Sequence, residues 1–523
     1  VPSTEGLKPI VISDFSPGLY NSSDWLVPAK GWQQMENCCP QIGGGLRAFY
    51  NVTEYSTGFT GISDPTHTRV LGIHASGGLL DTGAESSGAI GADRYLVLYN
   101  WASSTGTPWV YRYNGTVNDF TQWVFMYKGS SPNVLTSVND NNPSKASLLV
   151  YVTQASEGLE DTYNRLMVIM VRYNGPDADT YAVLFTDDDG VLDSITPPTT
   201  SSGDPNPPFS TQAGSMCVHQ QRLVFGSGNG VIIFTDPAAT TYASTNFLAV
   251  DASHDGTRLA ALYGIEPGDL ACLREGAGMV VVQGDLLQGP VVVVSNDGVD
   301  SGKTGYTDFC STPYGLAFIS ADGYVYLTDG RTTTKISEQI SAFEQSPDFS
   351  SYGDLVYMGD FLFCPGERVY DFRTKSWFTQ TAMAGHVKCG NDYDNEVFGT
   401  QTNGVISSNA LVQYYPQSDT TRQETFTAQT APIHGTDGRT VAVRMVEVNC
   451  KTYDANATIA VTVHGTTKTR LLRTVGKQNV RFLFNEQAET LDATFVSTSG
   501  TGAEAPSFDD VVLWTRSGHF APS

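Results

Sequence analysis

An all-β fold, a multi-bladed β-propeller with an N-terminal arm and a C-terminal β-sandwich, is what this 523-residue chain predicts. Four observations carry the prediction. From about residue 60 to 430, short apolar bursts alternate with Gly, Asn, Asp and Ser turns. Val, Ile, Tyr, Phe, Trp and Thr dominate the bursts, as they do on pleated, half-buried strands. None of them sustains a helical period over a dozen residues. Finally, Arg-Tyr-Asn-Gly recurs in "WVYRYNGT" (109–116) and "IMVRYNGP" (169–176), each copy between two apolar strands, around Arg112 and Arg172. Recurring strand–turn–strand units of roughly forty to sixty residues are the signature of propeller blades.

In chain order, residues 1–60 read as an arm whose strands close the propeller, and 61–430 as the propeller itself. Strands that are apolar on both sides suit a sheet that buries both faces against its neighbours. "VVVV" (291–294) reads as one such doubly buried strand, and "RVYDFRTKSWFTQ" (368–380) as strand, four-residue turn, strand. "TPPTTSSGDPNPPFS" (196–210) is a Pro/Ser/Gly connector between two groups of blades. Beyond residue 430, "ATIAVTVHG", "QNVRFLFNE" and "DATFVSTS" alternate apolar and polar residues more cleanly. That pattern suits a sandwich over 431–523 with one wet face per sheet. A pair of ordinary β-sandwiches is the alternative to the propeller.

Charge and cysteine usage narrow the function. Fifty-four acidic against thirty basic residues give a net charge of −24, which repels nucleic acid and other polyanions. From Arg439 to Arg481, however, eight Lys/Arg face only two acidic residues, a pattern that reads as a docking face for an acidic partner or as a solvated sheet face. Eight scattered cysteines without C-x-x-C support neither a zinc ribbon nor a thioredoxin-like site. Cys364 and Cys450 sit in apolar runs and read as small buried hydrophobes in a reducing compartment. The first residues lack the basic and long apolar parts of a signal peptide, and the apolar bursts are too short to span a bilayer. A soluble chain is expected, without membrane insertion.

Catalytic motifs fare poorly. "NDGVDSGKT" resembles a phosphate loop up to Gly302, Lys303 and Thr304, but Asp297 stands where the first glycine belongs, and Pro313 and Gly315 follow where a helix is needed. "SHDGTRL", "SNDGVDS" and "SADGYVY" read as Asp-Gly hairpin turns. They lack the spacing and the aromatic of a sialidase-type Asp box. No H-E-x-x-H or G-x-S-x-G occurs. The acidic loops around Asp187, Asp188 and Asp189, and around Asp392, Asp394 and Glu396, are calcium candidates without an EF-hand register. No catalytic, cofactor-binding or metal-binding residue is assigned, no cofactor is expected, and the chain is not expected to be an enzyme.

The segment "ISDFSPGLYNSSDWLVPAKGWQQMENCCPQIGGGLRAF" (12–49) resembles the start of bacteriophage tail β-propeller proteins, the tail nozzle or tail hub family. Phe15, Gly18 and Leu19 fit the family's opening, Val27, Pro28 and Gly31 its turn, Glu36 and Asn37 its strand, and Gly45, Leu46 and Arg47 its close. Pro17, Tyr20 and Ala48-Phe49 depart from the pattern. "MCVHQQRLVFGSGNGVIIFTDP" (216–237), with His219 and Arg222, is similar to the family's central strand pair, and "GLAFISADGYVYLTDGRTTTKISEQI" (315–340) to its penultimate blade. The resemblance implies a structural virion protein assembled in the host cytoplasm, with no catalytic residues. It would form a homo-oligomeric ring, a hexamer, around the DNA exit channel. It would contact the tail adaptor or tube and carry fibre proteins, and DNA would pass without specific binding. The alternative is a carbohydrate-binding or carbohydrate-active propeller, a receptor-binding protein or depolymerase, suggested by aromatic loops with Trp101 and Trp109.

Overall fold

The computed structural model describes residues 7–20, 31–51, 53–56, 68–76, 93–100, 107–113, 123–125, 143–154, 163–173, 181–186, 192–194, 213–227, 230–239, 243, 245–250, 259–265, 268–274, 277–294, 309–343, 355–381, 387–391, 396–399, 410–415, 422–434, 440–502 and 504–518. Among these residues there is no α-helix. Among them, no helix is long and apolar enough to cross a membrane.

Seven four-stranded antiparallel meanders follow one another among the described residues. Their opening strands are Thr68–Ser76, Pro143–Gln154, Ala213–His219, Leu259–Ile265, Phe309–Thr312, Val356–Met358 and Val387–Asn391. Six of them use strands consecutive in sequence. The seventh takes its fourth strand, Thr53–Ser56, from near the N-terminus, paired with Ala410–Tyr415. Opening strands of the first four meanders lie side by side in order, as do those of the last three, and Val387–Asn391 returns to lie beside Thr68–Ser76. Shared apolar contacts join the fourth meander to the fifth. The chain is all-β and propeller-like.

Two-residue periodicity explains how the meanders stack. In the fourth, Leu270, Cys272, Val280 and Val282 pack with Val224, Ile232 and Phe234 of the third. The alternate residues Ala271, Leu273 and Val281 pack with Leu316 and Phe318 of the fifth. The sixth meander continues the pattern: Leu362, Tyr370 and Trp377 join Ala317, Ile319 and Val325 of the fifth. The second strands of the third to sixth meanders are therefore buried on both faces, as in Gly315–Ile319, and each large apolar side chain among them contributes on the order of 1.5–3 kcal/mol on burial.

Two readings of the sequence change. The valine run Val291–Val294 is the outermost strand of the fourth meander, with Val291 59 % and Val293 41 % exposed, so it is not doubly buried. A run of identical residues conceals which face is wet, and position in the meander decides burial. The two Arg-Tyr-Asn-Gly copies also occupy unlike places. Arg112 lies in the third strand of the first meander, Thr107–Tyr113, and Arg172 in the second strand of the second, Tyr163–Tyr173. Each copy falls at the end of its strand, and the two strands hold different positions in their units. The connector at 196–210 lies outside the described residues.

The C-terminal strands build two further sheets around one core. One runs Cys38–Pro40, Leu46–Ala48, Ser507–Gly518, Thr440–Thr452, Gly476–Ala488, with Lys8–Ile12 also paired to Ser507–Gly518. The other extends the sixth meander from Ser376–Thr379 through Trp32–Glu36, Thr425–Thr430, Ala493–Thr498, Ala457–Val463 and Thr466–Leu472. Thr425–Thr430 and Ala457–Val463 bury alternate residues, the one-wet-face pattern of antiparallel strands. The N-terminal segment therefore divides. Thr53–Ser56 completes the seventh meander, while the strands before it join the C-terminal sheets.

Candidate functional site at the N-terminal joint

The segment that carries the family resemblance is a joint between the sixth meander and the C-terminal sheets. Phe15 stacks on Trp32 with ring centroids 5.3 Å apart, both fully buried. A turn closed by Gly18 N–H on Phe15 O (3.1 Å) lets Leu19 N–H reach Trp377 O (2.9 Å), while Trp32 N–H returns to Gly18 O (3.1 Å). Gly18 has φ +68°, and a Cβ there would lie 2.6 Å from Ser376 Cβ and 2.9 Å from Trp377 N. Only glycine meets both demands. Gly18→Ala should cost more than about 1 kcal/mol, above the usual penalty for an unsuitable backbone site. Chemical unfolding of the purified chain measures this, and an unchanged midpoint would remove the joint from the account.

Asn37, at φ 58°, carries the chain across the joint. Its N–H donates to Thr379 O (2.7 Å), its Nδ2 to Thr381 Oγ1 (2.8 Å), and its Oδ1 accepts from Thr381 N–H (3.0 Å). Asn tolerates the left-handed region better than most residues. Arg47 grips Glu504 with both arms of its guanidinium, Nη2 lying 2.8 Å from Oε2. Arg422 stands 3.9 Å from the same carboxylate, lies over the Tyr50 ring and donates to Ala48 O (2.9 Å). Cys38 and Cys39 are free thiols inside this joint. Burial pushes Cys38 well up, and pushes Cys39 up to about 12 against the pull of Arg422. Thiols so held are inert.

The meanders are clasped along their first hairpins. Tyr151 Oη of the second donates to Ala239 O (2.9 Å) and accepts from Ala239 N–H (3.1 Å) in the third. Gln220 of the third reaches Gly284 O (2.8 Å) and Gly268 O (3.1 Å) in the fourth. Ile265 of the fourth occupies the space a Cβ on Gly330 of the fifth would need. Tyr314 of the fifth stacks on Phe372 of the sixth at 4.5 Å and donates to Asp360 (3.3 Å). The second, third and fifth meanders thus each place a side chain between two turns of the next.

His219 is buried beside this clasp. Burial pushes its pKa below the usual imidazole range, and the Gly268 carbonyl and Asp269 carboxylate offset only part of that. The unfolded chain then takes up a proton below about pH 6.5 that the folded chain resists, so stability falls as pH drops through that point. Unfolding free energies at pH 7.5 and 5.5 should show a smaller drop in His219→Gln than in the wild type. Equal drops would locate the acid sensitivity elsewhere.

Other sequence candidates part company. "SADGYVY" forms the predicted turn: Gly323 N–H donates to Ser320 O (2.9 Å) and Ser320 N–H to Tyr324 O (2.9 Å). Cys364 and Cys450 are buried, as read. Lys303, Asp187–Asp189, Asp392, Asp394 and Trp101 lie outside the described residues, as does the side chain of Trp109. Among the described residues no cluster of His, Cys, Asp or Glu could hold a metal. The clasps escaped the sequence reading because their partners are distant, and only the turn register places Gln220 or Tyr314 opposite its neighbour.

No protein-family profile matches the chain, and no curated protein does. Among solved structures, an exo-beta-1,3-galactanase from Phanerochaete chrysosporium aligns at 10 % identity and TM-score 0.28, covering 80 % of this chain and 93 % of its own. BamB from Moraxella catarrhalis aligns at 10 % identity and TM-score 0.34, covering 73 % and 93 %. PorZ from Porphyromonas gingivalis gives 15 % and 0.35, covering 66 % and 42 %. Superpositions this loose carry no argument about what the chain does, and the propeller-like architecture stands on its own sheets.

Proposed function

We propose that this chain is a structural, non-catalytic component of a bacteriophage tail, a nozzle or hub protein. In this reading the seven meanders close into a seven-bladed propeller. The two C-terminal sheets form a β-sandwich, and the N-terminal segment fastens one to the other. Several copies ring the DNA channel and present a platform to adjoining tail proteins. One observation supports it most: in the N-terminal segment 12–49, the described residues that fit the family pattern serve the joint itself. Phe15, Leu19 and Leu46 are buried. Gly18 and Asn37 take left-handed turns against the sixth meander, and Arg47 ties down Glu504. Val27 and Pro28 lie outside the described residues. A motif spent on fastening fits a part that bears load better than one that turns over substrate. Mass spectrometry and gold-labelled electron microscopy of purified virions test the reading. Label on the tail is the expected result, and absence of the chain from tailed particles overturns it.

A carbohydrate-binding role is the second reading. It is favoured by Tyr314, a residue 47 % exposed whose ring stacks on Phe372 beside Asp360. Such a ring offers a flat apolar face with a polar tip. A glycan array with wild type and Tyr314→Ala tests it, and silence of the wild type removes it.

A further inference from the structure

We propose that the strands Thr466–Leu472 and Gly476–Ala488 form a receptor edge for an acidic polypeptide strand, one that alternates carboxylate and apolar side chains. Each strand ends its sheet: Thr466–Leu472 pairs with Ala457–Val463, and Gly476–Ala488 with Thr440–Thr452. Among the described residues no strand pairs with the other side of either, so that side carries main-chain donors and acceptors for another strand. The two edges adjoin, since Lys468 Nζ donates to Leu483 O and lies over the Phe484 ring.

Charge selects the occupant. Between Asp454 and Glu486 the sequence holds Lys468, Arg470, Arg473, Lys477 and Arg481 and no acidic residue. All five are exposed. Lys477 pairs with Asp509 and Arg481 with Glu447, whereas among the described residues no carboxylate lies within ion-pair distance of Lys468, Arg470 or Arg473. Cations on an edge repel a second cationic edge, which disfavours pairing of this edge with its own copy. The −24 chain behind them disfavours nucleic acid.

The pattern of side chains selects the alternation. Thr467 to Leu471 are all exposed, so the edge strand is open on both faces. Along a strand, Lys468 and Arg470 point to one face and Leu471 to the other. Leu471 is 50 % exposed; in Gly476–Ala488 Lys477, Arg481 and Leu483 share one face, so the alternation is set by Thr466–Leu472. A partner strand with carboxylates on one face and apolar groups on the other matches both. This rests on the platform reading but fails separately from it, because virion location does not enter the measurement.

The test is fluorescence anisotropy of the full chain with a labelled alternating Glu-Val peptide. A peptide of the same composition with its glutamates in one block, and a DNA duplex, are run beside it. We expect the alternating peptide to bind at least about tenfold tighter than the blocked one, and Arg470→Glu with Arg473→Glu to weaken it by at least about tenfold. Both sites are exposed, and unchanged circular dichroism and unfolding midpoint confirm a folded variant. No binding, equal binding of the two peptides, or tighter binding of DNA overturns the proposal. So does self-association in sedimentation velocity that the double variant abolishes, since the occupant is then a second copy.

Discussion

Phe49→Ala is expected to lower the unfolding free energy by about 3–5 kcal/mol, the cost of removing a buried aromatic ring. Phe49 is fully buried, its ring centred 4.8 Å from Phe378, 5.1 Å from Phe361 and 6.3 Å from Phe363. These are side chains of the sixth meander, while Phe49 itself follows the strand Leu46–Ala48 of a C-terminal sheet. Its backbone is fixed on both sides: its N–H donates to Asn37 O and its carbonyl accepts from Gln423 N–H, each at 2.8 Å. The walls around it are strands held in ladders, so they cannot collapse far into the void, which places the cost towards the upper end of the range. Phe49→Leu should recover roughly half, because it refills volume but loses edge-to-face ring contacts worth about 0.5–1.5 kcal/mol each. Urea unfolding followed by tryptophan fluorescence reads the change close to Trp32. A loss within about 0.5 kcal/mol, the size of an ordinary surface substitution, would show that the two parts do not share this core.

That core shows where the sequence was legible and where it was not. Strand composition and turn chemistry are local, so the all-β class, the turn after Ser320 and the hairpin Arg368–Thr379 could be read from a few adjacent residues. Alternation in Ala457–Val463 also announced a half-wet sheet. Pairing between distant segments is not written locally. Nothing near Thr53 announces that it pairs with Gln413, and nothing near Glu36 that it lies beside Thr379. Val291–Val294 failed for a related reason: a strand of uniform composition has no internal contrast, and only its place at the meander's edge exposes it. The joint was visible through resemblance as a string of residues. What those residues do became clear only when Gly18 met Trp377 and Arg47 met Glu504.

Glu504→Ala should be the most damaging change of a charged residue in the joint, costing about 3 kcal/mol. Glu504 is nearly buried and faces two guanidiniums, Arg47 in bidentate contact and Arg422 at 3.9 Å with its side chain also largely buried. Removing the carboxylate leaves two cations together with nothing between them, and an uncompensated buried charge is worth more than the pair that preceded it. The figure stays at the low end of the usual range because Arg47 keeps 32 % of its side chain in water and recovers hydration there. Glu504→Gln retains acceptor and shape but not charge, and should cost roughly half as much. Arg47→Ala should cost less than Glu504→Ala, since the carboxylate keeps Arg422. In the double variant Arg47→Ala with Glu504→Ala, the loss should be smaller than the two single losses combined, the mark of direct coupling between neighbours. Unfolding midpoints of the four proteins in low and high salt decide it. Strict additivity, or a Glu504→Ala loss that vanishes in high salt, would reduce the contact to a screened surface pair and leave Phe49 and Gly18 as the fastenings of the joint.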